Sequence, residues 1–335
     1  MGFFLQCRPC KNLLHRGLNS GSKQIYLMSN YESPPPLHNL PWNQGTLPAE
    51  YGNSLLVIMA TDLEGRPHAV GTAFVINHSD DGRTATCLTA AHVFTEVHRL
   101  QTKPARHTPS ALAEFLPPPK PIDIDRKLVR AIGTAGGRAE AAIIEGLTYD
   151  EDRDVALFDV KLQDASPDGF FCSRFEVTGE LPDVGEMVCV LSFAGLAMEQ
   201  KEDYGAQGYM ATLSKSLMFR VGRVLQHFPV GQRLCKGPCI ETSIPVFSGM
   251  SGGPLMRYST EGPMLISALV SFDPDLDCED KNNRDIEGRS VFAALPVSVS
   301  EGAEGRKFVE ILMPEDKGVG TMKSPDQGGP GLQDR

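Results

Sequence analysis

Short runs of β-branched, aromatic and other apolar residues recur along the chain from about residue 52, with turn-forming residues between them. Almost no long segment shows the 3.6-residue period of an amphipathic helix. This spacing predicts an all-β fold, either a barrel or a sandwich. The runs cover residues 55–61, 72–76, 84–89, 141–144, 155–160, 187–193, 218–221, 240–242, 255–258, 265–272 and 291–294.

The two ends of the chain lack these regularly spaced apolar runs. Residues 32–50 contain five prolines and have the composition of an extended linker, so we expect residues 1–50 to be a flexible extension, a leader or a removable pro-segment. The Pro-rich stretch 103–121 is expected to be a surface loop. Residues 307–313 are expected to form a short terminal helix or a last strand, and residues 316–335 a disordered tail.

The first 31 residues carry basic residues and no acid, which is typical of an organelle transit peptide. Charge and proline come too early for the apolar core of a secretory signal peptide. Eight cysteines are too sparse for a disulfide scaffold and favour a reducing compartment. We therefore expect a cytoplasmic protein, with organelle targeting by residues 1–31 as the alternative.

The charge of the chain argues against several classes of partner. The formal net charge is -10, and no cluster of Lys and Arg stands out, which disfavours nucleic acid and anionic membranes as partners. The longest apolar stretch, 264–272, falls short of the ~20 residues that cross a bilayer. A neutral or basic polypeptide is the expected partner.

Two patterns are weak candidates for metal sites. Cys7 and Cys10 have the spacing of zinc ligands, but the only comparable pair has a different gap. Acids alternate from Asp273 onward as in a calcium loop, yet Cys278 and Arg284 stand where that loop needs Gly and Glu. We expect neither a metal nor another cofactor. The other residues of these patterns are Cys235, Cys239, Asp275 and Asp277.

Residues 249–254, Gly-Met-Ser-Gly-Gly-Pro, are the most specific segment. Glycines around one Ser let the backbone turn sharply, expose the hydroxyl, and aim the amides of Gly249 and Ser251 at one point. An oxyanion hole requires this arrangement. The segment therefore indicates a nucleophilic Ser251 with its oxyanion donors on the same loop.

A Ser hydroxyl needs a base to take its proton and an acid to orient that base. His92 follows Thr-Ala-Ala at the end of a β-rich run, and Asp154 precedes Val-Ala-Leu at the start of another. Other acids and histidines compete for the two roles but lack these flanks. The competitors are Asp152, Asp159, His98 and His107.

Thr-Ala-Ala-His, Asp-Val-Ala-Leu and Gly-Met-Ser-Gly-Gly-Pro, in this order, resemble the three signature blocks of the chymotrypsin/trypsin family. The intervals of 62 and 97 residues also suit it, and the likeness covers roughly residues 53–295. The resemblance implies His92 as base, Asp154 as orienter and Ser251 as nucleophile. It also implies a domain over residues 51–315 with two packed six-stranded antiparallel β-barrels, about 51–165 and 180–300, and the active site in the cleft between them.

The same resemblance suggests a substrate site. Ser271 and Phe272 match the strand that pairs with the substrate backbone, and Pro245 stands at the floor of the primary specificity pocket. Trypsin-type enzymes carry an acid at this position, so the resemblance does not imply cleavage after Arg or Lys. Asp273 is a candidate for a charge at the pocket wall.

Two departures point to a subtype. Val93 and Phe247 stand where digestive members of the family carry cysteines, so the chain is more similar to bacterial or intracellular peptidases without the usual disulfides. We therefore expect a serine endopeptidase acting through an acyl-enzyme. The alternatives are a catalytically silent, protease-like binding protein and an esterase or amidase with the same site.

Overall fold

The computed structural model describes residues 4–5, 40–41, 54–102, 122–135, 138–163, 169–203, 209–232, 235–258, 264–272, 289–301, 307–313 and 321–323. Within these residues the regular structure is almost entirely β, with one α-helix, α1 (Ala91–Thr102), and a 3-10 turn (Arg126–Leu128). The strands are β1 (Phe4–Leu5), β2 (Leu40–Pro41), β3 (Leu55–Thr61), β4 (Pro67–His78), β5 (Thr84–Thr89), β6 (Asp123–Asp125), β7 (Val129–Ala135), β8 (Arg138–Asp150), β9 (Val155–Leu162), β10 (Met187–Asp203), β11 (Tyr209–Phe228), β12 (Cys239–Thr242), β13 (Pro254–Arg257), β14 (Ile266–Phe272), β15 (Ser290–Ala294), β16 (Val297–Glu301), β17 (Lys307–Ile311) and β18 (Thr321–Lys323).

Six strands close the first barrel in the order β3-β4-β5-β9-β8-β7, and every pairing is antiparallel. The strand β3 is buried along its whole length, whereas β9 alternates buried and more exposed positions toward its end. Such alternation places one face of a strand in the barrel core and the other toward solvent.

The second barrel is the ring β10-β13-β14-β15-β12-β11, closed by the pairing of β11 with β10. Its interior is a cluster of aliphatic side chains around Phe292. Closure removes the exposed strand edges that an open sheet would present to other chains. The predicted fold, two six-stranded antiparallel β-barrels, is confirmed.

Several elements were not predicted from the sequence. The helix α1 begins next to His92, and its apolar stripe of Val93, Phe94, Val97 and Leu100 packs into the core. The apolar run of β7 is interrupted by Arg130, Gly133 and Thr134. Gly133 leaves room for the ring of Phe170, which a Cβ would meet at 2.3 Å. The stripe of α1 follows the helical period but spans only twelve residues, and the apolar pattern of β7 is interrupted, so neither element stands out in the sequence.

The terminal segments contribute short pairings. In the predicted N-terminal extension, β1 and β2 pair with β11. In the predicted disordered tail, β18 pairs with β6 in parallel, which differs from the expectation for those three residues. Residues 307–311 form a strand paired with β16, the second of the two predicted possibilities. The predicted loop 103–121 lies outside the described residues.

The turn between β3 and β4 is organised by Asp62, whose side chain is only 3% exposed. Its carboxylate accepts hydrogen bonds from the backbone N–H groups of Glu64 and Arg66, from Arg66 Nε and from His68 Nε2. Burial would raise the pKa of Asp62, but these hydrogen bonds outweigh it and lower the pKa to about 2. The ionised carboxylate therefore stabilises the hairpin.

None of the helices in the described part of the chain is long and apolar enough to cross a membrane.

Candidate active site

His92 and Asp154 lie together at the rim of the first barrel. His92 is the second residue of α1, and Asp154 directly precedes β9, the strand that pairs with β5. The imidazole Nδ1 lies 2.9 Å from Asp154 Oδ2 and 3.1 Å from Oδ1, and the backbone N–H of His92 donates to Oδ1 at 2.9 Å. One carboxylate thus holds both the ring and the main chain of His92.

The environment of His92 makes its imidazole more basic than usual. Burial acts to lower the pKa of His92, but the charge of Asp154, its hydrogen bond and the charge of Glu96 outweigh that effect. The pKa is therefore raised above its ordinary value. The His92 side chain remains 43% exposed, whereas that of Asp154 is 7% exposed, so the imidazole faces the cleft and its partner lies behind it.

Asp154 occupies an unusual backbone conformation, with a φ of 54°. It ends a turn in which its N–H donates to Glu151 O and Asp150 Oδ1 accepts from the N–H groups of Asp152 and Arg153. The left-handed region is rare for residues other than Gly, Asn and Asp. This turn directs the carboxylate at His92.

Ser271 on β14 donates a 2.5 Å hydrogen bond from its Oγ to Asp154 Oδ2. The sequence assigned Ser271 only to the substrate strand and did not reveal this contact. The bond joins a strand of the second barrel to the acid of the first, across 117 positions of sequence. Asp154 therefore accepts hydrogen bonds from three groups, which fixes its orientation.

Two consecutive tight turns build the Ser251 loop. Met250 N donates to Phe247 O at 3.0 Å, and Gly253 N donates to Met250 O at 2.9 Å. The third residues of the two turns, Gly249 and Gly252, have φ values of 92° and 82°. A type II turn needs a positive φ at this position, which explains both glycines. Ser251 is the second residue of the second turn and is half-buried.

Within residues 249–253 of this loop, two backbone N–H groups are unused. Met250, Gly252 and Gly253 donate their N–H groups to carbonyls of the protein. Those of Gly249 and Ser251 have no acceptor among the residues that the structure describes. Two unused donors separated by one residue can bind an anionic oxygen.

Close contacts hold the Ser251 loop against the segment that carries His92. A Cβ on Gly252 would lie 2.1 Å from Thr89 Oγ1 and 2.9 Å from Ala90 N. A Cβ on Gly71 would lie 2.8 Å from a Val93 methyl group and 3.1 Å from the carbonyl oxygen of Ser251. The fold thus brings the three predicted triad residues into one region, although no hydrogen bond joins the side chains of Ser251 and His92 within the described ranges.

The competing acids and bases are bonded elsewhere. Asp152 pairs with Lys236 at the surface, Asp159 accepts from the hydroxyl of the half-buried Thr86, and the Nδ1 of His98 lies 2.8 Å from the carbonyl of Asp123. His107 lies outside the described residues.

The predicted specificity-pocket residues are only partly described. The carbonyl of Pro245 accepts a 2.8 Å hydrogen bond from Arg220, which is 3% exposed and lies 4.0 Å from the ring centroid of Phe247. Burial lowers the pKa of Arg220 to about 10. Phe272 ends β14 beside Ser271, and Asp273 lies outside the described residues. Arg220 is a pocket neighbour that no sequence motif indicated.

The described residues contain no group of three or more His, Cys, Asp or Glu side chains that could hold a metal ion. None of the five cysteines among them forms a disulfide.

A family model described as a trypsin-like peptidase domain matches residues 71–262, which is more than half of the chain. No curated protein sequence matches at a significant level.

Solved structures with similar folds have low sequence identity. The thermostable serine protease AL20 from an extremophilic microorganism is 12% identical to this chain, with a TM-score of 0.40. The alignment covers 74% of this chain and 93% of the AL20 chain. Human heparin binding protein is 13% identical with a TM-score of 0.41, covering 77% and 90%. The protease Anisep from Arthrobacter nicotinovorans is 12% identical with a TM-score of 0.40, covering 72% and 90%.

Proposed function

The chain belongs to the trypsin-like peptidase family and is a serine protease, and from this premise we propose that it is an endopeptidase with His92, Asp154 and Ser251 as its catalytic triad. One observation carries the proposal. An imidazole held by a buried carboxylate lies in the same region as a serine loop with two unused backbone N–H groups.

The reaction proceeds in two halves. Ser251 Oγ attacks the carbonyl carbon of the scissile peptide bond while His92 Nε2 takes the hydroxyl proton. Asp154 keeps the other ring proton on Nδ1 and stabilises the imidazolium that forms. The N–H groups of Gly249 and Ser251 bind the oxyanion. The C–N bond then breaks, and the amine leaves with the proton from His92.

Water completes the cycle. His92 takes a proton from the water molecule, whose oxygen attacks the carbonyl carbon of the acyl-enzyme. The bond between that carbon and Ser251 Oγ then breaks, and Ser251 recovers a proton from His92. The substrate backbone lies along the end of β14 at Ser271 and Phe272, with the side chain before the scissile bond directed toward Pro245.

Labelling with a fluorophosphonate tests the proposal. This reagent forms a covalent adduct with a serine that is activated by a neighbouring base, and mass spectrometry identifies the modified residue. We expect one adduct, on Ser251, and none in the Ser251→Ala or His92→Ala variants. Ser248 is the matched control because it is an exposed serine of the same loop, so Ser248→Ala should still label.

Turnover of matched peptide and ester substrates separates the remaining alternatives. Cleavage of internal peptide bonds supports the endopeptidase. Hydrolysis of esters without peptides favours the esterase or amidase. No adduct and no turnover in the wild type, including a chain that begins near residue 52, would contradict catalysis and favour a protease-like binding protein.

A further inference from the structure

Two fully buried hydroxyl residues at the interface between the barrels have no part in the chemistry proposed above. Thr72 lies on β4 of the first barrel and Ser192 on β10 of the second, and both side chains contact the Ser251 loop. Buried hydroxyls are retained at little cost only when they are hydrogen-bonded. Their partners therefore indicate what they do.

The three consecutive carbonyl groups from 249 to 251 are all held by these residues. Thr72 Oγ1 donates to Gly249 O at 2.8 Å, and Thr72 N donates to Ser251 O at 2.8 Å. The single proton of Ser192 Oγ is shared between Met250 O at 2.9 Å and Thr72 Oγ1 at 3.0 Å. The N–H of Phe193 donates to Thr72 Oγ1 at 3.2 Å, which leaves the Thr72 proton for Gly249 O.

Two hydrogen bonds, from Ser192 Oγ and from the N–H of Gly253, set the direction of an oxyanion donor. The carbonyl of Met250 and the N–H of Ser251 belong to the same planar peptide group. In a trans peptide, C=O and N–H point in opposite directions. Because Met250 O points inward to Ser192 Oγ and Gly253 N, the N–H of Ser251 points away from the interior.

Ser192 packs directly against the backbone of Gly253. A Cβ on Gly253 would lie 2.4 Å from Ser192 Oγ and 2.6 Å from Ser192 Cβ. The glycine after the turn therefore allows Ser192 to approach the carbonyl of Met250. The hydrogen bond from Ser192 to Met250 therefore requires glycine at position 253.

We propose that Ser192 is a positioning residue that aims the Ser251 amide at the oxyanion, an inference that rests on the function proposed above. It acts through the Met250–Ser251 peptide group and does not touch the substrate. A hydrogen-bond donor contributes to catalysis only when it points at the developing charge, so loss of the Ser192 hydroxyl weakens transition-state binding more than substrate binding.

The test is a steady-state comparison of Ser192→Ala with the wild type on one peptide ester. We expect Ser192→Ala to lower kcat about tenfold with an unchanged KM, less than the roughly 10²–10³-fold cost of removing a whole oxyanion donor. The pH at half-maximal rate should stay the same because His92 is untouched.

A second measurement distinguishes positioning from general loosening. The affinity of a peptidyl trifluoromethyl ketone, whose adduct places an oxyanion in the site, should fall by the same factor as kcat/KM. Ser267→Ala is the matched control, since Ser267 is also a buried serine of the second barrel and its Oγ has no hydrogen-bond partner in the described residues. It should retain the kinetics of the wild type.

The outcomes separate the two proposals. An active wild type with Ser192→Ala indistinguishable from Ser267→Ala would overturn the role of Ser192 and leave the triad intact. A rise in KM with constant kcat would also overturn it. A wild type without turnover or ketone binding would refute the proposed function, and the role of Ser192 with it.

Discussion

Replacing Asp154 by Asn tests the proposed triad with little change of shape. Asn is among the few residues that adopt a φ near the 54° of Asp154, so the backbone turn should be retained. One oxygen of the side chain can still accept from the N–H of His92. The new NH₂ group then occupies the place of Oδ2, which faces His92 Nδ1 at 2.9 Å and Ser271 Oγ at 2.5 Å.

This exchange places the ring proton on the wrong nitrogen. An NH₂ group that donates to His92 Nδ1 requires the ring proton to sit on Nε2, where it prevents the imidazole from accepting the Ser251 proton. We expect kcat to fall about 10⁴-fold, a barrier increase of about 5.5 kcal/mol.

The pH dependence provides a second readout of the same change. Activity requires neutral His92, so the rate of the wild type should rise with pH through a midpoint above the ordinary His pKa of about 6.5. The charge and hydrogen bond of Asp154 both raise the pKa of His92. Their loss should move the rising limb of the residual activity to lower pH.

The assay is kcat/KM on a peptide ester from pH 5 to 9, with circular dichroism to check the fold. Asp152→Asn is the matched control, because Asp152 is a nearby surface acid paired with Lys236. That variant should keep the wild-type profile. A loss below tenfold in Asp154→Asn, or a midpoint at the same pH as the wild type, would refute the role assigned to Asp154.

Two further predictions concern the glycine turns and the β3–β4 hairpin. Gly252→Ala should lower the free energy of unfolding by about 2–4 kcal/mol and strongly reduce turnover, because its Cβ would lie 2.1 Å from Thr89 Oγ1 and 2.3 Å from Thr72 O at a φ of 82°. Chemical denaturation should show a much smaller cost for Gly65→Ala, which has a similar φ and no atom within 4 Å. Asp62→Asn should lower the free energy of unfolding at pH 7 by about 2 kcal/mol, since the pKa falls from the ordinary 3.8 to about 2. The depressed pKa of Asp62 stabilises the fold above pH ~4, and this stabilisation is lost as the pH falls from about 4 to 2. If the free energy of unfolding had the same pH dependence in the wild type and in Asp62→Asn, the role given to Asp62 would be wrong.

The sequence by itself determined the fold class and the candidates for the chemistry. A continuous apolar run such as β3 and an alternating run such as β9 are both local properties of a strand, so both can be recognised from the sequence. The segment around Ser251 was recognisable for a similar reason, because a turn with a positive φ demands glycine at a set position. Order and flanking residues then singled out His92 and Asp154 from their competitors.

Only the tertiary structure decided how these residues are held. Ser271 is bonded to Asp154, and Thr72 and Ser192 hold the carbonyls of the Ser251 loop, across separations of 58 to 177 positions. A serine or threonine on a strand has the same local pattern whether its hydroxyl faces solvent, a carboxylate or a buried carbonyl. The choice is made when the two barrels close and pack, because only then does burial require each hydroxyl to find its partner.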